Sequence, residues 1–202
     1  MRARIHAVAA GEPVELVAVT KGFGADAVVA AAAAGCAAIG ENYAQELLGK
    51  RAAVAAAAVA VHFIGRLQSN KVRLLADIVD VWESIDRLNL VTAVARRAPG
   101  ARILVQVNAA GETGKGGCRP GEVAELVAAA GDAGLVVEGL MTVGPTAGGP
   151  EAARPAFRLV RALTDDVGLA VCSMGMTADL EVAIEEGSTR VRVGTALFGP
   201  RR

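Results

Sequence analysis

The residue best placed for covalent chemistry is Lys21. It closes the run Leu16-Val17-Ala18-Val19-Thr20, five residues suited to a buried strand. An unpaired ammonium is costly inside a sheet. Where a buried strand stops, apolar surroundings lower the amine's pKa and leave a neutral fraction able to attack a carbonyl. The chain has four lysines, Lys21, Lys50, Lys71 and Lys115, and only Lys21 ends a hydrophobic strand. Taken alone, Lys21 is better explained as a strand-end residue pointing into solvent.

Two further groups combine glycine with hydroxyl residues directly after predicted strands: Ser173-Met174-Gly175-Met176-Thr177 and Arg192-Val193-Gly194-Thr195. Glycine lets an oxygen approach the backbone, and Ser or Thr adds a hydroxyl donor. Phosphate groups bind in such places, on backbone N–H groups and a helix N-terminus. Ordinary turn chemistry uses the same residue types. An amine nucleophile, a phosphate cradle and Arg192 together match a phosphorylated aldehyde. Pyridoxal 5′-phosphate (PLP) fits, with Lys21 as the Schiff-base lysine and Arg192 near the ring nitrogen. An arginine there holds the pyridine nitrogen unprotonated, because adjacent cations repel.

These residues need a scaffold that brings strand ends together. Short branched runs alternate with Ala/Leu-rich segments throughout. Strands are predicted over 15–20, 36–39, 59–64, 79–84, 102–108, 135–141, 169–173 and 189–193, with helices between them. Such alternation forces right-handed crossovers and a parallel sheet. Eight units predict one (β/α)8 TIM-type barrel domain over residues 1–202, with an open doubly wound sheet as the alternative. A barrel carries its site at the C-terminal ends of its strands. Lys21 and both glycine–hydroxyl groups follow strands there, as does Glu41-Asn42.

Composition excludes several functions. The 202 residues are 53% apolar with formal net charge zero, one Trp, one Tyr and four Phe. Nucleic-acid binding needs a positive footprint and usually stacking aromatics, so none is expected. Cys36, Cys118 and Cys172 lack metal-ligand spacing and read as buried thiols of a reducing, cytoplasmic compartment. The longest apolar runs are too short for a membrane span, and no signal peptide is evident. Gly114-Lys115 lacks the flanking residues of a Walker phosphate loop. His62 reads as a satisfied strand histidine, Asp86 as a helix cap.

The motifs Leu16–Lys21, Gly40–Glu46, His62–Lys71, Ser84-Ile85-Asp86, Gly139-Leu140-Met141, Ser173–Met176 and Val191–Gly199 resemble the pyridoxal phosphate homeostasis proteins, in order and over nearly the whole chain. The resemblance implies the barrel of the alanine racemase N-terminal domain and a fold-type III PLP site. It implies that Lys21 forms the aldimine, that Ser173, Thr177, Gly194 and Thr195 lie at the phosphate, and that Asn42 and Arg192 lie near the ring. Met174 and Met176 are candidates either to pack on a flat ring or to fill core. Three departures stand out. Gly22-Phe23-Gly24 follows Lys21 where Thr-Lys-Pro or a close variant is usual. Thr177 replaces a common Ser. Met1–Glu15 leaves little room for the usual first helix.

Family members are thought to hold and deliver PLP, so PLP and PLP-dependent apoenzymes are the expected partners of a monomer. An amino-acid racemase is the alternative. It needs a second acid/base opposite the lysine, and Tyr43 is the only tyrosine. A more remote alternative is a cofactor-free Schiff-base aldolase.

Overall fold

Branched residues dominate the strands and strong helix formers the crossovers, and the chain folds accordingly. The computed structural model describes residues 1–200. Its strands are β1 (Glu15–Val19), β2 (Ala38–Glu41), β3 (Ala60–Phe63), β4 (Val81–Ile85), β5 (Arg102–Gln106), β6 (Val136–Met141), β7 (Val171–Ser173) and β8 (Arg190–Val193). They form a closed parallel barrel in sequential order. The helices are α1 (Arg2–Val8), α2 (Ala25–Ala33), α3 (Ala44–Ala57), α4 (Ser69–Leu75), α5 (Leu88–Arg97), α6 (Val123–Asp132), α7 (Arg154–Asp166), α8 (Leu180–Glu185) and α9 (Thr195–Phe198). The predicted TIM-type barrel is therefore the fold.

The register sets which side chains enter the barrel. β1 pairs with β8 through Val17 opposite Arg192 and Ala18 opposite Val193. Ala18, Ile39, Val61, Phe63 and Trp82 pack outward into the core shared with the helices. Their strand neighbours face the interior.

Three local expectations are corrected. A two-turn helix, α1, does form before β1, because Ile5 and Ala9 bury against Leu180, Ile184 and Val191. Arg2 bonds the carbonyls of Ala34 and Gly35, and Arg4 pairs with Glu181. β2 runs through Gly40 and Glu41 rather than ending at Ile39, since Glu41 pairs with Phe63. Cys36 precedes that strand and is half-buried, whereas Cys118 and Cys172 are buried as expected.

Two buried polar clusters hold the barrel. Outside the sheet, Lys50 of α3 is 4% exposed. Its Nζ lies 2.7 Å from Glu41 Oε1 and donates to Thr20 O at 2.8 Å, while Thr20 Oγ1 donates to Glu41 Oε1 at 2.5 Å. Burial raises the Glu41 carboxyl above its ordinary pKa, and the bonds from Lys50 and Thr20 oppose the shift only in part. Inside the barrel, Glu83 is fully buried. Burial alone pushes its pKa up, but the His62 hydrogen bond and the charges of Arg192 and Arg190 win and hold it at about 2.

Breaking a buried pair on one side leaves a stranded charge. Lys50→Met is expected to lower the unfolding free energy by about 3–5 kcal/mol. Adding Glu41→Gln recovers most of that loss, measured by urea denaturation. Because the folded-state pKa of Glu83 lies below the ordinary 4.5, its contribution is complete above pH 4.5 and is lost as pH falls towards 2. The loss amounts to about 3 kcal/mol. The variant E83Q is expected to flatten this part of the stability-against-pH curve.

Candidate functional site

The C-terminal ends of β1, β2, β7 and β8 converge on one mouth. Lys21 is the second residue after β1 and is half-buried. The chain turns directly after it, at Gly22 with φ +77°, and Gly22 N donates to Glu46 Oε2 of α3 at 2.8 Å. The Phe23 ring packs on Phe198 of α9, with centroids 5.5 Å apart. The unusual Gly22-Phe23-Gly24 segment thus ties the Lys21 turn to the helix that follows β8.

Asn42 is the first residue after β2 and is half-buried. Gly65, after β3, lies against its backbone so closely that a Cβ there would run into Asn42 O. Only glycine permits this approach.

The segment after β7 is shaped by Gly175, at φ +93°. Met176 N donates to Asp179 Oδ1 at 2.6 Å, and its side chain is 38% exposed. Met176 lines an outer cavity of about 380 Å³ with Lys115, Pro145 and Asp179. Met174, by contrast, belongs to the core. Thr177 Oγ1 accepts from Ala196 N at 3.4 Å, and Arg4 Nη2 donates to Thr177 O at 3.0 Å. Gly194 caps α9, and Thr195 is its first, exposed residue. The first N–H groups of a helix lack intrahelical partners and carry partial positive charge. Thr177, Gly194 and Thr195 are therefore brought to one place.

Ser173 is not with them. It is fully buried, its hydroxyl donating to Glu83 Oε2 at 2.7 Å and accepting from Arg192 Nη1 at 2.6 Å. Ser173 is the last residue of β7, and in this structure its hydroxyl is engaged with the buried ion network. Arg192 is 4% exposed. Its Nη2 donates to Thr142 O at 2.7 Å, and its backbone N to Gly175 O at 2.9 Å. Burial lowers its pKa from the usual guanidinium value, and Glu83 opposes this.

Sequence reasoning passed over Glu83 and the Glu41–Lys50 pair. The available signal was a carboxylate inside an otherwise buried strand, Val81-Trp82-Glu83. His62 is the satisfied strand histidine anticipated, with Nδ1 2.6 Å from Glu83 Oε1. Asp86 does not cap α5, which Arg87 precedes directly. Its Oδ2 accepts from Gly117 N at 3.2 Å and pins the glycine-rich loop. In that loop Lys115 donates to Gly144 O at 2.6 Å and pairs with Glu112 at 3.1 Å. Tyr43 is 48% exposed, lining a pocket with Asn42, Arg66 and Gln68. No group of three or more His, Cys, Asp or Glu residues able to hold a metal occurs among the described residues, nor is any helix there long and apolar enough to cross a membrane.

The chain is similar to known proteins over its whole length. The family model for the alanine racemase N-terminal domain matches residues 2–202. A pyridoxal phosphate homeostasis protein of Pseudomonas aeruginosa is 42% identical over 210 residues, covering 99% of this chain and 91% of the relative. One from Aquifex aeolicus is 45% identical over 174 residues, covering 81% and 76% respectively. The solved structure of PipY from Synechococcus elongatus, with PLP bound, superposes with a TM-score of 0.85 at 28% identity, covering 98% of this chain and 99% of PipY. By its sequence and its barrel, the chain belongs to the pyridoxal phosphate homeostasis protein family, built on the alanine racemase N-terminal domain.

Proposed function

We propose that this chain binds PLP at the C-terminal mouth of the barrel and holds it for delivery to PLP-dependent apoenzymes, without turning over a substrate of its own. The observation that carries the reading is the β1–β8 register. It sets the Lys21 turn and the start of α9 on adjoining strand ends, while Arg192 lies buried between them and the interior. Relatives bearing the homeostasis name and the PLP-bound PipY structure support the same ligand.

The donor set fits the cofactor. PLP supplies an aldehyde that condenses reversibly with an amine, and Lys21 supplies that amine. The Thr195 N–H at the start of α9 and the hydroxyls of Thr177 and Thr195 match a phosphate dianion, which the helix dipole favours. Arg192 offers a fixed cation towards the ring and repels a proton from a neighbouring ring nitrogen. Asn42 borders the mouth beside Lys21, and exposed Met176 offers a soft apolar surface to a flat ring. Ser173 acts one step back, holding Arg192.

The carrier reading is preferred to a racemase on the available acids and bases. Tyr43 is the one tyrosine of the chain, and at the start of α3 it is half exposed. Burial pushes the Cys118 thiol up to about 11 and raises Cys172 as well. Neither supplies a thiolate near neutral pH.

Borohydride reduction of the PLP-loaded protein, followed by peptide mass mapping, is expected to put the pyridoxyl group on Lys21. An adduct mainly on Lys50, Lys71 or Lys115 would sink the assignment. Thr177→Ala combined with Thr195→Ala is expected to weaken PLP retention about tenfold or more, as the loss of hydrogen bonds to a charged group predicts. Retention of pyridoxal, which lacks the phosphate, should change little. Equal losses for the two ligands would remove the phosphate assignment.

A further inference from the structure

We propose that Glu83 is a positioning residue: acting through Ser173, it fixes the Arg192 guanidinium at the base of the mouth and thereby sets the charge presented to a bound ring. The proposal deepens the cofactor reading and rests on it for the identity of the ring.

Arg192 cannot shed its charge into solvent, being 4% exposed. The two groups it hydrogen-bonds by its side chain, Ser173 Oγ and Thr142 O, are both neutral. Among the described residues, the one carboxylate within 4 Å is Glu83, with Oε2 at 3.9 Å from Nη1. Ser173 lies between the two. An ionised carboxylate only accepts hydrogen bonds. The Ser173 proton is therefore committed to Glu83, which leaves a lone pair of its oxygen for Arg192. A neutral acceptor at position 83 loses both the charge and this one-way orientation.

Glu83 is itself held at its other oxygen. Oε1 lies 2.6 Å from His62 Nδ1 and 3.4 Å from Arg190 Nη1. Arg190 is anchored in turn by Glu15 Oε2 at 2.6 Å and lies 3.6 Å from Glu138 Oε2. A continuous chain runs from Glu15 at the start of β1, through Arg190, Glu83 and Ser173, to Arg192 near the end of β8. Chains of this kind polarise one another in a low-dielectric interior. Their energy is weak evidence for stability but can fix one geometry. Here the end of the chain is the cation that the mouth presents.

Two variants separate the charge from the bridge: E83Q removes the charge, and S173A removes the bridge and keeps the charge. In the cofactor-free protein, phenylglyoxal labelling with peptide mapping reads the freedom of Arg192 directly. Its labelling rate is expected to rise about tenfold in both variants, matching the loss of a hydrogen bond to a charged group, while surface arginines such as Arg96 and Arg97 are unchanged. In the PLP-loaded protein, the visible band of the bound cofactor and its pH dependence are expected to shift in both variants. Labelling and band both at wild-type values would overturn the proposal. So would faster labelling with an unchanged band, or labelling that rises at every buried arginine together with a collapsed melting transition. If E83Q does not fold, S173A decides alone. Should the wild-type protein take up no PLP, the cofactor reading fails. The labelling arm then still decides whether Glu83 holds Arg192.

Discussion

Closure of the barrel between its first and last strands is the constraint on which everything else depends. Val17 opposite Arg192 fixes both the register and the face. A slip of one residue would turn Arg192 out of the interior and bring Val193 in. Because the strands are parallel, their C-terminal ends share one rim. Residues separated by more than 170 positions in sequence then stand beside each other. The Phe23–Phe198 contact reinforces the same junction from above, and Arg4 reinforces it from the side through Glu181 and Thr177 O.

The interior carries more charge than a barrel of this kind usually does, where branched apolar side chains fill the layers. His62, Glu83, Arg190 and Arg192 are all buried. Each such group is expensive to desolvate singly. Glu83 offsets part of the charge of Arg190 and Arg192, Glu15 pairs with Arg190 as well, and the remaining interior positions, including Val81, Leu104 and Met141, form a small apolar cluster. Most of the hydrophobic stabilisation lies instead between sheet and helices, where Trp82, Phe63 and Phe157 are fully or almost fully enclosed.

Much of this was legible in the sequence. Alternating branched and Ala/Leu-rich segments read as a barrel because periodicity reports burial directly. Lys21, Thr177, Gly194 and Thr195 were legible because they follow strands, and strand ends share the rim. What failed depended on partners distant in sequence. Gly40-Glu41 carries the marks of a turn, yet Glu41 is a strand residue because Lys50 on the next helix neutralises it. For Ser173 the sequence shows a hydroxyl at a strand end and not the group that it bonds. Nothing near it in sequence announces that Glu83, 90 residues earlier, takes its proton. The helix α1 escaped notice for a similar reason: its stability comes from Ile5 and Ala9 docking on α8 and β8 rather than from its seven residues.

The buried Lys50 ammonium has a consequence for chemical selectivity. A protein that keeps a reactive aldehyde is exposed to that aldehyde at every amine it owns. Arginine does not compete, and 17 of the 21 basic residues here are arginines. Of the four amine side chains, Lys50 is sealed behind Glu41 and Thr20, and Lys115 is engaged by Gly144 O and Glu112. If the chain holds PLP as proposed, composition limits imine formation as much as shape does: self-modification is suppressed because few amine side chains are there to be modified.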